Sequence, residues 1–256
     1  MSDAIEIDLL SSAREFSVCT LVTDPDEYQV MKDSFVAAGF DDAQFIYADN
    51  SNGNKYDGYQ AVNLFLDRAE AKYIIICHQD IELRFDDITV LRERIEALES
   101  RDEEWAIAGN AGYSNLAQPA MCISDPYGSH RQKGVLPQKV RSLDENFIII
   151  KKSANLCVSH DLQGFHFYAT DLCQVAHILG RSSYVIDFHL YHKSAGTVDK
   201  RFETAKDAFV VKYTHALKPT FLRTTCDKLF ISGSSILNTL CNSKFCYRLV
   251  KLWQKI

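Results

Sequence analysis

The chain reads as an α/β protein with a mostly parallel central sheet flanked by helices. Three observations point there. Apolar strand-like runs alternate with amphipathic helical segments from Phe16 to Ser100, the pattern of strand-helix units joined by right-handed crossovers. The run Tyr73 to Cys77 is apolar throughout, as in a strand covered on both faces. Polarity then changes abruptly at His78-Gln79-Asp80, at the carboxyl end of that strand, where open α/β sheets bind ligands. With 256 residues and 46% hydrophobic content, the chain can bury a core sufficient for one large domain with an appendage.

Phe16 to Thr23 is the first strand. Asp24 as N-cap, Pro25 at the first helical position and Glu27 three residues after the cap then start a helix. Tyr28, Met31, Phe35 and Ala38 recur along it at helical spacing, and Gly39 ends it. Ala43 to Ala48 is the second strand, breaking into Asp49-Asn50-Ser51-Asn52-Gly53-Asn54. Such a cluster is foremost turn chemistry, yet a carboxylate at a second strand's carboxyl end is also placed to bind a nucleotide's base or ribose. Asp57 to Glu70 and Asp86 to Ser100 are amphipathic helices, and Trp105 to Ala108 is a short strand.

From Tyr113 to Lys139 periodicity disappears among Pro119, Pro126, Gly128, Gly134 and Pro137, which predicts a long irregular loop, mobile in part. Val140 to Lys151 presents a polar edge, Asp144 and Glu145, before a strand over Phe147 to Ile150. Gly164 to Asp171 leads into a helix with Thr170 as N-cap and an apolar face of Leu172, Val175 and Leu179. The helix dipole alone explains Asp171 in the first turn; the same placement keeps that carboxylate ionised and aims it outward. Ser183 to Tyr191 is a last strand that delivers His192 ahead of Gly196, a position from which an imidazole reaches a metal.

The formal net charge is -6, but from Lys212 onward eight Lys and Arg face Asp227 alone. That asymmetry fits an anionic partner for the tail or a solvated basic face. Phe245, Leu249, Leu252 and Trp253 among Lys244, Arg248, Lys251 and Lys255 make the end basic and amphipathic, suited to an anionic bilayer or to a helix packed on the domain. The eight cysteines form no CxxC pair and read as reduced core residues of a cytoplasmic protein. The acidic start MSDAIEIDLL has no signal-peptide character, and no apolar run is long enough to span a bilayer. An acidic body without aromatic-interleaved basic motifs argues against nucleic acid.

Taken in order, FSVCTLVTD, IYADNSNG, a helix with Asn63, IIICHQD, SLDENF, GFHFYATDLC and YHKSAG resemble the family 2-type glycosyltransferases of GT-A fold. Within them they are similar to a bacterial branch that carries HQD where most members carry DxD. The similarity covers Phe16 to Gly196. It implies a glycosyltransferase domain over 1–210, a basic amphipathic helical extension over 211–256, and inverting transfer from a nucleotide-sugar donor, UDP-sugar favoured. The acceptor implied is a glycan or a polyprenyl-diphosphate-linked one, as in bacterial surface polysaccharide synthesis. Position by position, Thr23 and Asp24 would border the nucleobase, and Asp49 with Asn50 would bind base or ribose. Asp80 would hold Mn²⁺ or Mg²⁺, with His192 as a late metal or diphosphate contact. Asp171 matches the general base, and Asp144 and Glu145 the acceptor side. His78 stands in place of the first carboxylate, and ribose contact is the role expected of it. Two other readings stay open: a catalytically silent nucleotide-binding module, because one carboxylate of the usual pair is missing, and a metal-dependent nucleotide-diphosphate hydrolase using Asp80, His78 and His192. The protein would be cytoplasmic, with peripheral attachment at the inner face of the membrane.

Overall fold

The computed structural model describes residues 14–194, 196, 200–216, 218–223, 228–243 and 246. In chain order the first units are β1 (Phe16–Val22), α1 (Pro25–Ala37), β2 (Gln44–Asp49), α2 (Gly58–Arg68), β3 (Tyr73–Cys77), the short β4 (Ile81–Glu82) and α3 (Ile88–Arg101). Their starts follow the capping chemistry of the sequence. Asp24 accepts from the backbone of Asp26 and Glu27, Asp57 forms a capping box with Gln60, and Asp87 caps α3.

The chain continues as β5 (Trp105–Gly109), β6 (Ala111–Asn115), β7 (Gln118–Asp125), β8 (Gly128–Lys133), β9 (Gln138–Val140), β10 (Ser142–Leu143), β11 (Phe147–Lys151), α4 (Tyr168–Ile178), β12 (Ser182–Val185) and β13 (Leu190–His192). Seven strands form the central sheet in the order β2-β1-β3-β11-β5-β12-β9. β1, β2, β3, β5 and β12 run one way and β11 and β9 oppose them. This is the expected α/β class, with helices on both faces. Met31 and Phe35 of α1 and Leu91, Ile95 and Leu98 of α3 share one buried cluster with Phe16, Val18, Tyr73 and Ile75. The alternate residues Ile74 and Ile76 are also buried, on the side where α2 packs against β1 and β3.

Three expectations are corrected. The stretch Tyr113 to Lys139 is not an irregular loop: β6, β7 and β8 form an antiparallel meander. β6 and β8 are mostly polar and the apolar run Ala120 to Ile123 of β7 is flanked by Pro119 and Pro126, so no apolar alternation marks the three strands; Pro126 lies in the turn between β7 and β8. The predicted last strand is two strands, β12 in the central sheet and β13 in a second sheet of order β10-β6-β7-β13-β4. The chain leaves the central sheet at the turn in which Phe188 N–H donates to the Ile186 carbonyl. Thr170 is not the N-cap of α4, because the helix begins earlier and Phe167 at its start adopts φ 70° with no side-chain cap.

The chain divides into two compact units, Met1–Ala205 and Lys206–Ile256, and the division falls within α5 (Lys200–Ala216). The second unit adds a hairpin of β14 (Thr220–Arg223) and β15 (Lys228–Ile231), which sequence reading did not anticipate, and α6 (Ser235–Cys241). The amphipathic end at Phe245, Leu249, Leu252 and Trp253 lies outside the described residues. Among the described residues no helix is long and apolar enough to cross a membrane.

Candidate metal centre and donor cleft

β3 ends at Cys77, so the polar triplet emerges at the carboxyl end of the central sheet beside the ends of β1 and β2. β13 pairs antiparallel with β4, setting His192 opposite Ile81, and Lys193 N–H donates to the Asp80 carbonyl at 3.0 Å. That register, formed between strands over a hundred residues apart, brings His192 to the triplet. His192 Nε2 lies 3.4 Å from Asp80 Oδ1, and His78 Nδ1 lies 3.9 Å from the same oxygen. One ligand atom from each of His78, Asp80 and His192 falls within 4.8 Å of the others.

The electrostatics suit a cation. Burial alone would raise the Asp80 carboxyl, but the hydrogen bond and charge of His192, with His78 beyond, outweigh it and hold the group well below the usual carboxylate range. Burial pushes His78 down, and the neighbouring His192 pushes it further. Burial also works against a charged His192, yet its bond to Asp80 lifts it above the ordinary histidine value. Asp80 and His78 are thus held in the forms a metal needs from its ligands, whereas His192 would have to give up the proton that Asp80 favours. Tyr168 Oη lies 3.3 Å from His78 Nε2, which leaves Nδ1 on the Asp80 side.

A cavity of about 230 Å³ opens beside the triplet, lined by Thr23, Glu27, Gly58, Phe65, His78, Asp80, Phe165 and Tyr168 among others. Gly58 is required there, because a Cβ would sit 2.9 Å from the Gly164 carbonyl oxygen and against the Tyr168 ring. Gln79 is the clip of the loop. Its Oε1 accepts from Thr23 N–H at 2.7 Å and Asp24 N–H at 3.0 Å, and its Nε2 donates to Thr23 Oγ1 and Glu27 Oε2. Glu27 in turn receives Lys193 Nζ at 2.8 Å.

No protein-family profile matches the chain. It is 37% identical over 230 residues, 85% of its own length and 91% of the other, to the protein of Fuscovulum blasticum named ATP synthase subunits region ORF 6. The chain belongs to that protein's family. The ORF 6 name describes a stretch of genome and carries no chemistry. Similarity of the chain to solved structures is remote. S. aureus TarS 1-349 in complex with UDP shares 9% identity and a TM-score of 0.47, over 78% of this chain and 65% of that one. GalNAc-T7 with UDP, GalNAc and Mn2+ shares 10% and 0.49, over 72% and 45%. A197 from STIV shares 11% and 0.42, over 72% and 86%.

The remaining sequence-predicted residues divide by role. Thr23 lines the cleft, whereas the Asp24 side chain is occupied as the α1 cap. Asp49 Oδ1 accepts from the Ser51 hydroxyl and N–H, which hold its carboxyl below the ordinary value, and the residue lies at the end of β2. The Asn50 side chain is spent within its own turn, bonded to the backbone of Lys55 and Tyr56. Asp144 is exposed, and its charge acts on both His78 and His192; Asn146 donates to its Oδ1 through both N–H and side chain. Glu145 is pushed up to about 8, first by burial and then by Asp144, despite backbone donors at Phe167 and Ala169. Asp171 has 0% exposure and does not line the cleft: Oδ2 accepts from Ser159 N–H at 2.7 Å and Oδ1 from Ser159 Oγ at 2.9 Å. It fastens the 159 loop to α4.

Sequence reading missed Gln79 as the clip and Tyr168 as the His78 partner. The middle letter of HQD was the one available signal for Gln79. Of the cysteines, Cys19, Cys77, Cys122 and Cys173 are buried free thiols and Cys157 is an exposed one.

Proposed function

We propose that the chain is an inverting, metal-dependent glycosyltransferase, moving a sugar from a nucleoside-diphosphate donor, UDP-linked by preference, to a hydroxyl of a glycan or polyprenyl-diphosphate-linked acceptor in bacterial surface polysaccharide synthesis. The observation that supports it is the convergence of His78, Asp80 and His192 at the mouth of a cleft at the carboxyl ends of β1 and β3. The donor set fits a divalent ion: one ionised carboxylate and two imidazoles, leaving coordination positions for phosphate oxygens. Two nitrogen ligands beside one oxygen favour Mn²⁺ over Mg²⁺, and His78 is thereby a ligand rather than a ribose contact. Such an ion would neutralise charge on the departing diphosphate.

The protein's own groups do the rest. Thr23 and Asp49 border the nucleoside, Tyr168 orients His78, and Gln79 holds the triplet against β1. Asp144 is the proton acceptor. The acceptor oxygen bonds to the anomeric carbon as the carbon–oxygen bond to the diphosphate breaks, and the hydroxyl proton passes to Asp144, whose Oδ1 is fixed by Asn146. Asp171 acts as a positioning residue through Ser159.

The test is a thermal-shift panel of UDP, GDP, dTDP and CDP with and without Mn²⁺, on the wild type and Asp80→Ala. A shift that needs metal, selects one nucleotide and vanishes in the variant is expected, since a ligand specific to the folded state stabilises by mass action. No shift with any nucleotide would sink the reading. With the donor known, Asp144→Asn is expected to lower turnover by about 10²- to 10⁴-fold while donor binding survives. Sugar release at full rate without acceptor would instead mark a hydrolase.

A further inference from the structure

The second unit has an inverted surface. Among its described residues only Phe230 is buried, at 7% exposure. α6 is held to β15 by its polar side: Asn242 accepts from Phe230 N–H and donates to the Phe230 carbonyl, each at 2.8 Å, while Asn238 bonds to Ser232. Asn238 and Asn242 are four residues apart and share one face of the helix. Ile236 and Leu240, also four apart, fall on the opposite face and are 71% and 60% exposed. A helix in water normally turns its apolar side inward. The hairpin repeats the pattern, for Leu222 and Ile231 lie on one face of it and both are exposed. Residues 206–256 carry nine Lys and Arg against Asp207 and Asp227.

We propose that this apolar surface docks on an anionic lipid bilayer, with Ile236, Leu237 and Leu240 entering the interface and the net positive charge of this stretch of sequence drawing it to lipid phosphates. The combination of outward apolar side chains and net positive charge is what an interfacial element requires. A second copy would carry the same net positive charge, which disfavours self-association. The inference is independent of the reaction proposed above, and its test uses no donor.

The full chain is mixed with vesicles of phosphatidylcholine alone, or of phosphatidylcholine and phosphatidylglycerol in equal parts, and floated through a density gradient. The wild type is expected to float with the anionic vesicles only, and to fall back as salt is raised, by about tenfold in partition across the physiological range. Ile236→Ser combined with Leu240→Ser is expected to lower partition by about 100-fold, from the apolar area withdrawn, with an unchanged melting temperature. Ile236→Trp, which adds apolar surface without touching the polar face of α6, is expected to raise it. Wild-type protein that stays at the bottom with every vesicle, or floats equally with neutral ones, overturns the proposal. So does self-association, read by light scattering, that the double variant abolishes while flotation is absent, since that would assign the surface to a second copy.

Discussion

Asp171→Asn separates a group that reacts from a group that holds. The carboxylate accepts two hydrogen bonds from Ser159 at full burial. In the Asn variant Oδ1 still accepts from the Ser159 N–H, and the Ser159 hydroxyl can rotate to accept from Nδ2, so both contacts survive as neutral ones. Hydrogen bonds to a charged partner are worth about 1 kcal/mol more than neutral ones, so two of them put the cost at about 2 kcal/mol. Asp171→Ala removes both acceptors and leaves a void, which raises the cost to about 3–5 kcal/mol. Urea unfolding followed by far-ultraviolet circular dichroism, at fixed pH and matched slopes, reads both differences. The positioning role predicts the order wild type, Asn, Ala in stability, with metal-dependent nucleotide binding declining in the same order. An Asn variant as stable as the wild type that nevertheless loses turnover completely would refute this reasoning and return Asp171 to the role of base.

Other perturbations test neighbouring parts of the site. Gln79→Ala removes the bonds to Thr23, Asp24 and Glu27, all partly hydrated, so it should cost only about 1–2 kcal/mol but weaken Mn²⁺ binding about tenfold, read as a rightward shift in a metal titration of the melting temperature. Gly58→Ala forces a Cβ against a carbonyl oxygen that cannot move freely; a loss of about 1–3 kcal/mol is expected, and displacement of Tyr168 should weaken metal binding as well. Glu145 keeps its proton in the fold up to about pH 8 but releases it near 4.5 in the unfolded chain. The folded state therefore binds more protons between those values, and stability from this group is full below 4.5 and lost as pH rises through 8. Allowing for its partial exposure, the loss is about 3 kcal/mol, and Glu145→Gln should flatten the stability-pH curve between 5 and 8.5 relative to wild type. An unchanged slope in that variant would show that Glu145 does not titrate as described.

Much of the scaffold was legible because its signals are local. Asp24-Pro25 and Asp57 with Gln60 start helices through contacts within a single turn, and the apolar run at Tyr73 to Cys77 needs only its neighbours' hydrophobicity to read as a buried strand. The β6 to β8 meander escaped because β7, which puts Met121 and Ile123 into the core, lies between the mostly polar β6 and β8, so alternation is weak and the proline and glycine positions read as breaks. The hairpin of the second unit escaped for a related reason: Phe221 and Phe230 face each other across the two strands, a contact that neither four-residue run shows by itself.

The site shows the same limit at closer range. Position 80 and position 192 were each recognisable as ligand types, but what makes them a pair is the β13–β4 register, and pairing of strands separated by β5 through β12 leaves no trace in spacing. Asp171 shows the converse. A carboxylate in the first turn of a helix satisfies the same sequence criteria whether it faces solvent or a serine from a loop twelve residues earlier, and only the burial of Asp171 against that serine distinguishes the two. Asp144 carried a weaker sequence signal, yet it is the exposed carboxylate whose field reaches both histidines. Residue type narrows the chemistry available to a position; which of several carboxylates can meet a substrate is decided by tertiary burial, and the full burial of Asp171 against the exposure of Asp144 is the reason the base is proposed at residue 144.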